Sequence, residues 1–416
     1  MSLNRSSPAR LFLSTDRGEI FVIIALGLTQ IIGYGTLYYS FSILAPAMAA
    51  DLGWSNEWIF ATLSAALLAG GLVAPWVGRI IDDHGAGRVL TVGSMIAALS
   101  LAACAFAPGK ITFVMALIVI EMASTLVQYT AAFAFLVQFR PQSAQRNITY
   151  LTLIAGFAST IFWPLTSALH ADLSWRQVYL VYARLHLAVC LPLHRWLARR
   201  VGERHAPVVA PSATPHHIME GGLPDRLRPI AFLLMVTGFA LESFVNAALL
   251  VHMVPLLTAL GLGSAAILVG TLFGSSQVLS RFTNMMFGRD LSQLTLALVS
   301  ALLMPGAVAV LLLTAPSFSG ALIFAVLFGL GSGLGSIVQG TLPLALFGSA
   351  GYGRRQGHVT AVRLVVSSTA PFAFAWMMEN MGTDLALAIN TAIGGVAVLV
   401  FLAIAHLALR QRTMPT

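Results

Sequence analysis

Lysine is nearly missing from this chain: Lys110 is the only one in 416 residues. Charged residues of all kinds make up 9%, against about 25% in an average soluble domain. That shortage excludes a soluble globular fold and makes the bilayer the solvent for most of the chain. Cysteine is scarce too. Cys104 and Cys190 both lie in apolar runs, which leaves no disulfide framework and no metal set. There is no zinc spacing, P-loop or Ser-His-Asp pattern, so neither an enzyme nor a resident cofactor is expected. Strictly alternating strands are lacking as well, which excludes a membrane barrel. The net charge of +8 does not point to nucleic acid. The arginines stand singly or in pairs at the ends of apolar runs rather than in one patch.

What is present is hydrophobic sequence, 58% of the chain with a mean hydropathy of +0.85. A membrane span needs roughly 20 apolar residues. Twelve runs qualify: 20–49, 57–79, 89–107, 111–138, 147–170, 175–197, 229–258, 264–286, 292–314, 319–347, 358–379 and 384–408. The first is too long for the h-region of a signal peptide, so it reads as an uncleaved span. Between the sixth and seventh runs lies a polar, proline- and arginine-bearing segment, 198–228. The expected organisation is therefore all-α: a tail 1–19, a six-helix half 20–197, a central loop 198–228, a second half 229–408 and a tail 409–416. With the N-terminus cytoplasmic, eighteen arginines fall on the cytoplasmic side and only Lys110 and Arg176 on the other. The positive-inside rule then places both termini in the cytoplasm, and the expected location is the plasma, or inner, membrane.

The two halves carry a weak repeat. Gly53 is followed 25 residues later by Gly78-Arg79, and Gly263 by Gly288-Arg289 at the same spacing. The charged turn from Gly78 to Val89 (Gly-Arg-Ile-Ile-Asp-Asp-His-Gly-Ala-Gly-Arg-Val) stands between two long apolar runs. It resembles the loop between helices 2 and 3 of the major facilitator superfamily, secondary transporters with two parallel six-helix halves. The resemblance implies that Gly78, Asp82, Gly85 and Arg88 belong to a cytoplasmic gate. It implies that Asp82 locks the halves together, with Arg363 as its expected partner. Asp83 and Gly87 stand where the family usually has basic residues, so a looser gate is expected.

Within the superfamily the chain looks most like the monocarboxylate and oxalate–formate branch. The shared features are Tyr39-Ser40-Phe41-Ser42-Ile43, Asp51-Leu52-Gly53-Trp54-Ser55, Arg146, Ala155-Gly156, Pro164-Leu165 and above all Arg281. That branch places a substrate-binding arginine in helix 8. Two features depart from it: Tyr39 falls near the branch's helix 1 lysine, and Gln277 stands where an acid often accompanies the arginine. The segment Gly156-Phe157-Ala158-Ser159-Thr160 lacks the glycine-proline motif of drug–proton antiporters.

A charge inside the bilayer is costly and usually faces a cavity. Arg281 offers a fixed fork of donors that matches a carboxylate. A structural arginine, snorkelling or tied to Asp290, is its alternative. Glu121 and Glu242 lie in mid-span, where a carboxyl can take up a proton, or can be a neutral acid bonded to a neighbouring helix. Glu242 shares a helix face with Asn246, and Glu121 with Thr125, followed by Gln128 and Tyr129. Gln30, Tyr34 and Tyr38 form one stripe in the first span. By the family fold that stripe faces the cavity; packing is its alternative. Trp163 and Gln339 complete the candidate substrate set. The run Gly329, Gly331, Gly333 and Gly335 points to close helix packing. Arg184 is expected to snorkel outward, and His252 to be structural.

The expectation is a secondary transporter of a small organic anion, first of all a monocarboxylate, working by alternating access and coupled to protons, as a monomer. An exporter of drug-like or neutral metabolites is the alternative. A receptor or enzyme on the same fold is the remaining class, without a soluble domain or a catalytic constellation to support it.

Overall fold

The computed structural model describes residues 17–202, 223–263, 265–288 and 291–412. Most of the expected central loop, the two tails and Asp290 lie outside the described residues.

The described chain folds into twelve long helical rods. The first half contains α1 (Gly18–Leu52), α2 (Asn56–His84), α3 (Ala86–Ala105), α4 (Lys110–Phe139), α5 (Pro141–Asp172) and α6 (175–202). The second contains α7 (Arg228–Leu257), α8 (Ala265–Phe287), α9 (Gln293–Thr314), α10 (Phe318–Phe347), α11 (Tyr352–Met381) and α12 (Thr383–Arg412). A 30-residue helix is about 45 Å long at 1.5 Å per residue, more than the ~30 Å hydrocarbon thickness. Among the described residues, ten of the rods are long and apolar enough to cross a membrane. The polar rod α6 is not among the ten.

The polarity of α6 has a structural reason. His186 shares a hydrogen bond with Thr36 of α1 (2.8 Å). His194 meets Ser94 of α3 (2.7 Å) and Thr29 of α1 (2.9 Å). Both histidines are buried. They tie α6 to its neighbours through polar contacts where most rods rely on apolar packing. Arg184 points outward, exposed. The Asp51-to-Ser55 motif is also structural: Asp51 accepts from Trp175 Nε1 (3.1 Å) and pairs with Arg176 (2.9 Å), binding α1 to α6.

At the arginine-rich end, Glu19 of α1 is 1% exposed and lies 2.6 Å from Arg140, which begins the α4–α5 turn. It accepts from Ser143 (2.5 Å) and Asn147 (2.7 Å) as well. A buried carboxylate is tolerable only when satisfied in this way.

The buried apolar clusters show which end is shut. At the far end one cluster, around Leu52, Phe113 and Trp175, draws only on the first half, and another, around Leu256, Leu311 and Met377, only on the second. At the arginine-rich end, Leu344 and Tyr352 of the second half pack into a cluster of first-half residues that includes Val22, Ile81 and Phe139. The halves are therefore joined at the arginine-rich end.

Candidate functional site

The joined end is built by α2 against α11. A Cβ on Gly78 would stand 3.1 Å from Gly357 Cα and would overlap the carbonyl of Gly353, so only glycine lets these backbones meet. Gly85 ends α2 at φ +87°, a conformation that disfavours other residues. Gln138 of α4 holds the turn, accepting from Ala86 N–H (2.8 Å) and donating to the Ile81 carbonyl (3.1 Å).

Asp82 crosses to the other half, but not to Arg363. Its two carboxylate oxygens accept the backbone N–H groups of Gly353 and Arg354, each at 2.8 Å. These are free donors at the start of α11, where the helix dipole also favours an anion. Arg363 lies ten residues further along α11, about 15 Å deeper at 1.5 Å per residue. It donates instead to Ser243 of α7 (2.9 Å). The expected Asp82–Arg363 pair is thus corrected to a carboxylate on a helix N-terminus. The same contact explains why α11 begins at Tyr352 rather than near 358. Asp83 lies 3.7 Å from the exposed Arg354. Arg88 is exposed and turned away from this junction. Deeper in, Thr130 of α4 and Thr360 of α11 share a bond of 2.9 Å.

Toward the middle of the rods, first-half helices are interrupted at one level. α1 widens into a π-helical turn at Gly35–Tyr39. α4 breaks at Gln128, whose backbone is extended (φ −88°, ψ −160°). α5 is interrupted at Gly156 and Phe157, between Ala155 and Ala158. Gln30, expected on the cavity stripe, is fully buried and repairs the α4 break. Its side-chain amide donates to the Val127 carbonyl at 2.7 Å, a group the break leaves without its helical partner.

These interruptions surround an aromatic group. Tyr34 and Tyr129 have ring centroids 4.8 Å apart. Tyr38 and Tyr39 are 5.2 Å apart, and Tyr39 meets Trp163 edge-on at 5.8 Å. Tyr38 is 40% exposed yet lies within electrostatic reach of Tyr39, Glu121 and Arg363, so it opens onto the space between the halves.

The second half faces this group with a polar ladder. Gln277 of α8 donates to Ser332 of α10 (2.8 Å), which donates to Asn246 of α7 (2.9 Å). One turn on, Arg281 Nε donates to Ser336 (3.0 Å), which donates to the Gly333 carbonyl. The glycine run of α10 makes the ladder possible. A Cβ on Gly329 would meet the Phe273 carbonyl of α8 at 2.6 Å, and one on Gly331 would meet Met304 of α9 at 2.8 Å. Alternate glycines thus admit α8 and α9.

Arg281 is 6% exposed, with no acid in contact among the described residues. The end of its guanidinium lies over Gly156, so closely that a Cβ there would overlap Nη1. Its charge reaches Tyr39 and Tyr129. A second cation, Arg363, is half-buried and interacts electrostatically with Tyr34, Tyr38 and Glu242. Glu121 and Glu242 are 5% and 6% exposed, and each leaves its Oε1 without a hydrogen-bond partner.

Of the candidate substrate residues, Arg281, Tyr34, Tyr38, Tyr129, Trp163 and Asn246 come together around this space, and Gln128 makes the α4 break beside it. Gln339 lies on the α10 face of Ser332 and Ser336 but nearer the joined end, where its carbonyl accepts from Gln356 (3.0 Å). His252 bonds the Pro371 carbonyl (2.9 Å) within the second half. Three residues of the site, Ser332, Ser336 and Arg363, were not anticipated there. Ser332 and Ser336 carry a signal only as an i, i+4 pair on the α10 face. Arg363 was assigned to the gate instead.

A sequence comparison with curated proteins returns no match. Solved structures match the fold over nearly the whole chain. The human organic anion transporter MFSD10 (TETRAN) aligns with a TM-score of 0.73 at 15% identity, covering 93% of this chain and 100% of that one. The transporter FucP in its outward conformation gives 0.70 at 12% identity, covering 93% and 99%. The proton:xylose symporter XylE, bound to 6-bromo-6-deoxy-D-glucose, gives 0.70 at 13% identity, covering 92% and 95%. The family model of the Major Facilitator Superfamily matches residues 26–316. The helical architecture, the α2–α3 turn and this match agree: the chain is a multi-pass membrane protein that belongs to the Major Facilitator Superfamily.

Proposed function

We propose that this protein is a secondary transporter that moves a small organic anion, first of all a monocarboxylate, by alternating access and without ATP. One observation carries the reading. Arg281 is a buried guanidinium with no acid in contact among the described residues, its Nε donating to Ser336 and its end lying over Gly156 of the other half. Leaving such a charge uncompensated costs several kcal/mol, and an entering carboxylate would supply the missing charge and accept two donors at once. Tyr34, Tyr38, Tyr129 and Trp163 supply the walls. The sequence resemblance to the monocarboxylate and oxalate–formate branch supports the same reading.

In this reading the arginine-rich end, with both termini, faces the cytoplasm by the positive-inside rule. The protein works as a monomer in the plasma, or inner, membrane. Residues 20–197 and 229–408 rock against each other, and Gly78, Asp82 and Gly85 hold the cytoplasmic side shut in the state described here. Glu121 and Glu242 are the sites where a coupled proton is held, since each is a buried carboxyl with an unpartnered oxygen.

The test is uptake of a labelled carboxylate panel by proteoliposomes. Arg281→Lys should lose most transport, because a point charge replaces a two-pronged donor. Arg281→Gln should weaken binding about tenfold to a hundredfold, the equivalent of roughly 1.5–3 kcal/mol. A well-folded Arg281→Gln protein with unaltered substrate affinity would remove the anion reading. It would favour the second reading, an exporter of neutral or drug-like solutes, for which the tyrosines and Trp163 are the supporting observation.

A further inference from the structure

Away from the central space, the arginine-rich ends of α3 and α6 enclose a cleft of about 500 Å3 lined by Arg88, Thr91, Val92, Arg195, Ala198 and Arg199. Three of the six lining residues are cations and none is an acid. Their closeness is imposed by the backbone. A Cβ on Gly87 would stand 2.7 Å from Ala198 Cα, so α3 and α6 touch here and Arg88 is held beside Arg195 and Arg199. Arg195 and Arg199 are themselves one turn apart on one face of α6. The next arginine, Arg200, turns away and lies over the Trp196 ring, 5.2 Å from its centroid.

Among the described residues no acid lines the cleft, and its three like charges repel one another, so the cluster fits an anion from outside the chain. The apolar part of the cleft says which kind. Val92 is 57% exposed, and the same outward face of α3 continues with Met95 at 39% and Leu99 at 61%. These positions are three and four residues apart, one stripe running from the arginines toward mid-span. A head of fixed positive charge on an outward apolar track, at the end of two membrane helices, matches one ligand chemistry: a phosphate joined to an acyl chain.

We propose that this cleft binds an anionic phospholipid of the surrounding leaflet, its phosphate held by Arg88, Arg195 and Arg199 and an acyl chain laid along Val92, Met95 and Leu99. Guanidinium forks suit phosphate oxygens, and a basic residue near a membrane surface adds about 1 kcal/mol of attraction, or about fivefold in affinity. The site bridges α3 and α6 of the first half only, so it is separate from the central space.

The experiment is native mass spectrometry of the full-length protein released from nanodiscs of phosphatidylcholine and phosphatidylglycerol. The wild type should retain one phosphatidylglycerol in preference to phosphatidylcholine. Arg88→Gln, Arg195→Gln and Arg199→Gln should each weaken retention about fivefold, and the triple variant should lose the preference. Arg79→Gln removes another exposed charge at the same end, outside the cleft, and should change nothing. Since the three arginines are exposed, melting in lipid-free detergent should be unaltered, which separates lost binding from lost folding. Equal weakening by Arg79→Gln would reveal only diffuse surface attraction and overturn the site. So would displacement of the lipid by excess inorganic phosphate, which would assign the cleft to a free anion. Unchanged retention in the triple variant would overturn it outright.

Discussion

The two halves meet the central space in opposite ways. First-half helices are interrupted where they reach it: a π turn at Gly35–Tyr39, a break at Gln128 and an irregular step at Gly156. They bring tyrosines, a tryptophan and Glu121. Second-half helices α7, α8, α10 and α11 run past it without a break. They bring both arginines and a hydrogen-bonded ladder of amides and hydroxyls. Irregular backbone at membrane depth is tolerated only where it is buried in protein or lines a cavity. Its concentration in one half sets that wall apart from the continuous helices that carry the two arginines. Helix-terminal and interrupted segments are also where hinge motion is absorbed.

The largest effect should separate the two buried acids. If Glu121 carries the coupled proton, Glu121→Gln abolishes uptake driven by a pH gradient and leaves substrate exchange without a gradient intact. Glu242→Gln, among the continuous helices, would then disturb Arg363 and weaken binding without uncoupling. The reverse outcome would put coupling in the second half, and loss of neither would remove both acids from the coupling step.

The gate allows a smaller, sharper test. Asp82→Asn weakens an anion on the N-terminus of α11, by about 1–2 kcal/mol, or roughly a fivefold to thirtyfold shift away from closure at the arginine-rich end. Spin-label distances across α2 and α11 would report it. Arg363→Ala should leave those distances unchanged, because Arg363 bonds Ser243 within its own half. Equal opening by both variants would restore the direct Asp82–Arg363 lock.

The smallest effects compare the two kinds of wall. Gln30→Leu strands the Val127 carbonyl in the α4 break and should cost about 1–3 kcal/mol of stability. Ser332→Ala shortens the ladder beside continuous helices and should cost about 0.5–1.5 kcal/mol. Melting of the purified protein measures both. A Ser332→Ala loss exceeding that of Gln30→Leu would contradict the view that the broken half depends more on side-chain repair.

The motif around Asp82 was readable because a charged turn with glycines has few uses between apolar runs. Its partner was not, since the N-terminus of α11 offers backbone donors that no side-chain pattern announces. Arg281 was readable as a charge in an apolar run. Ser332 and Ser336 became meaningful only once α10 lay against α8. Nothing in the sequence marks His186 and His194 as links to α1 and α3; only the packing brings them to Thr36, Ser94 and Thr29.

By itself the sequence determined that the chain is an all-helical membrane protein with twelve long apolar runs and most of its arginines at one end. Hydrophobicity and charge are summed along the chain, and the bilayer acts on those sums directly. Only the tertiary structure decided which polar groups meet. It set Asp82 on a helix end, Gln30 in a break, Arg281 over Gly156 and three arginines around one cleft. Hydrogen bonds and charge contacts act over a few ångströms, and a one-dimensional order of residues does not contain those distances.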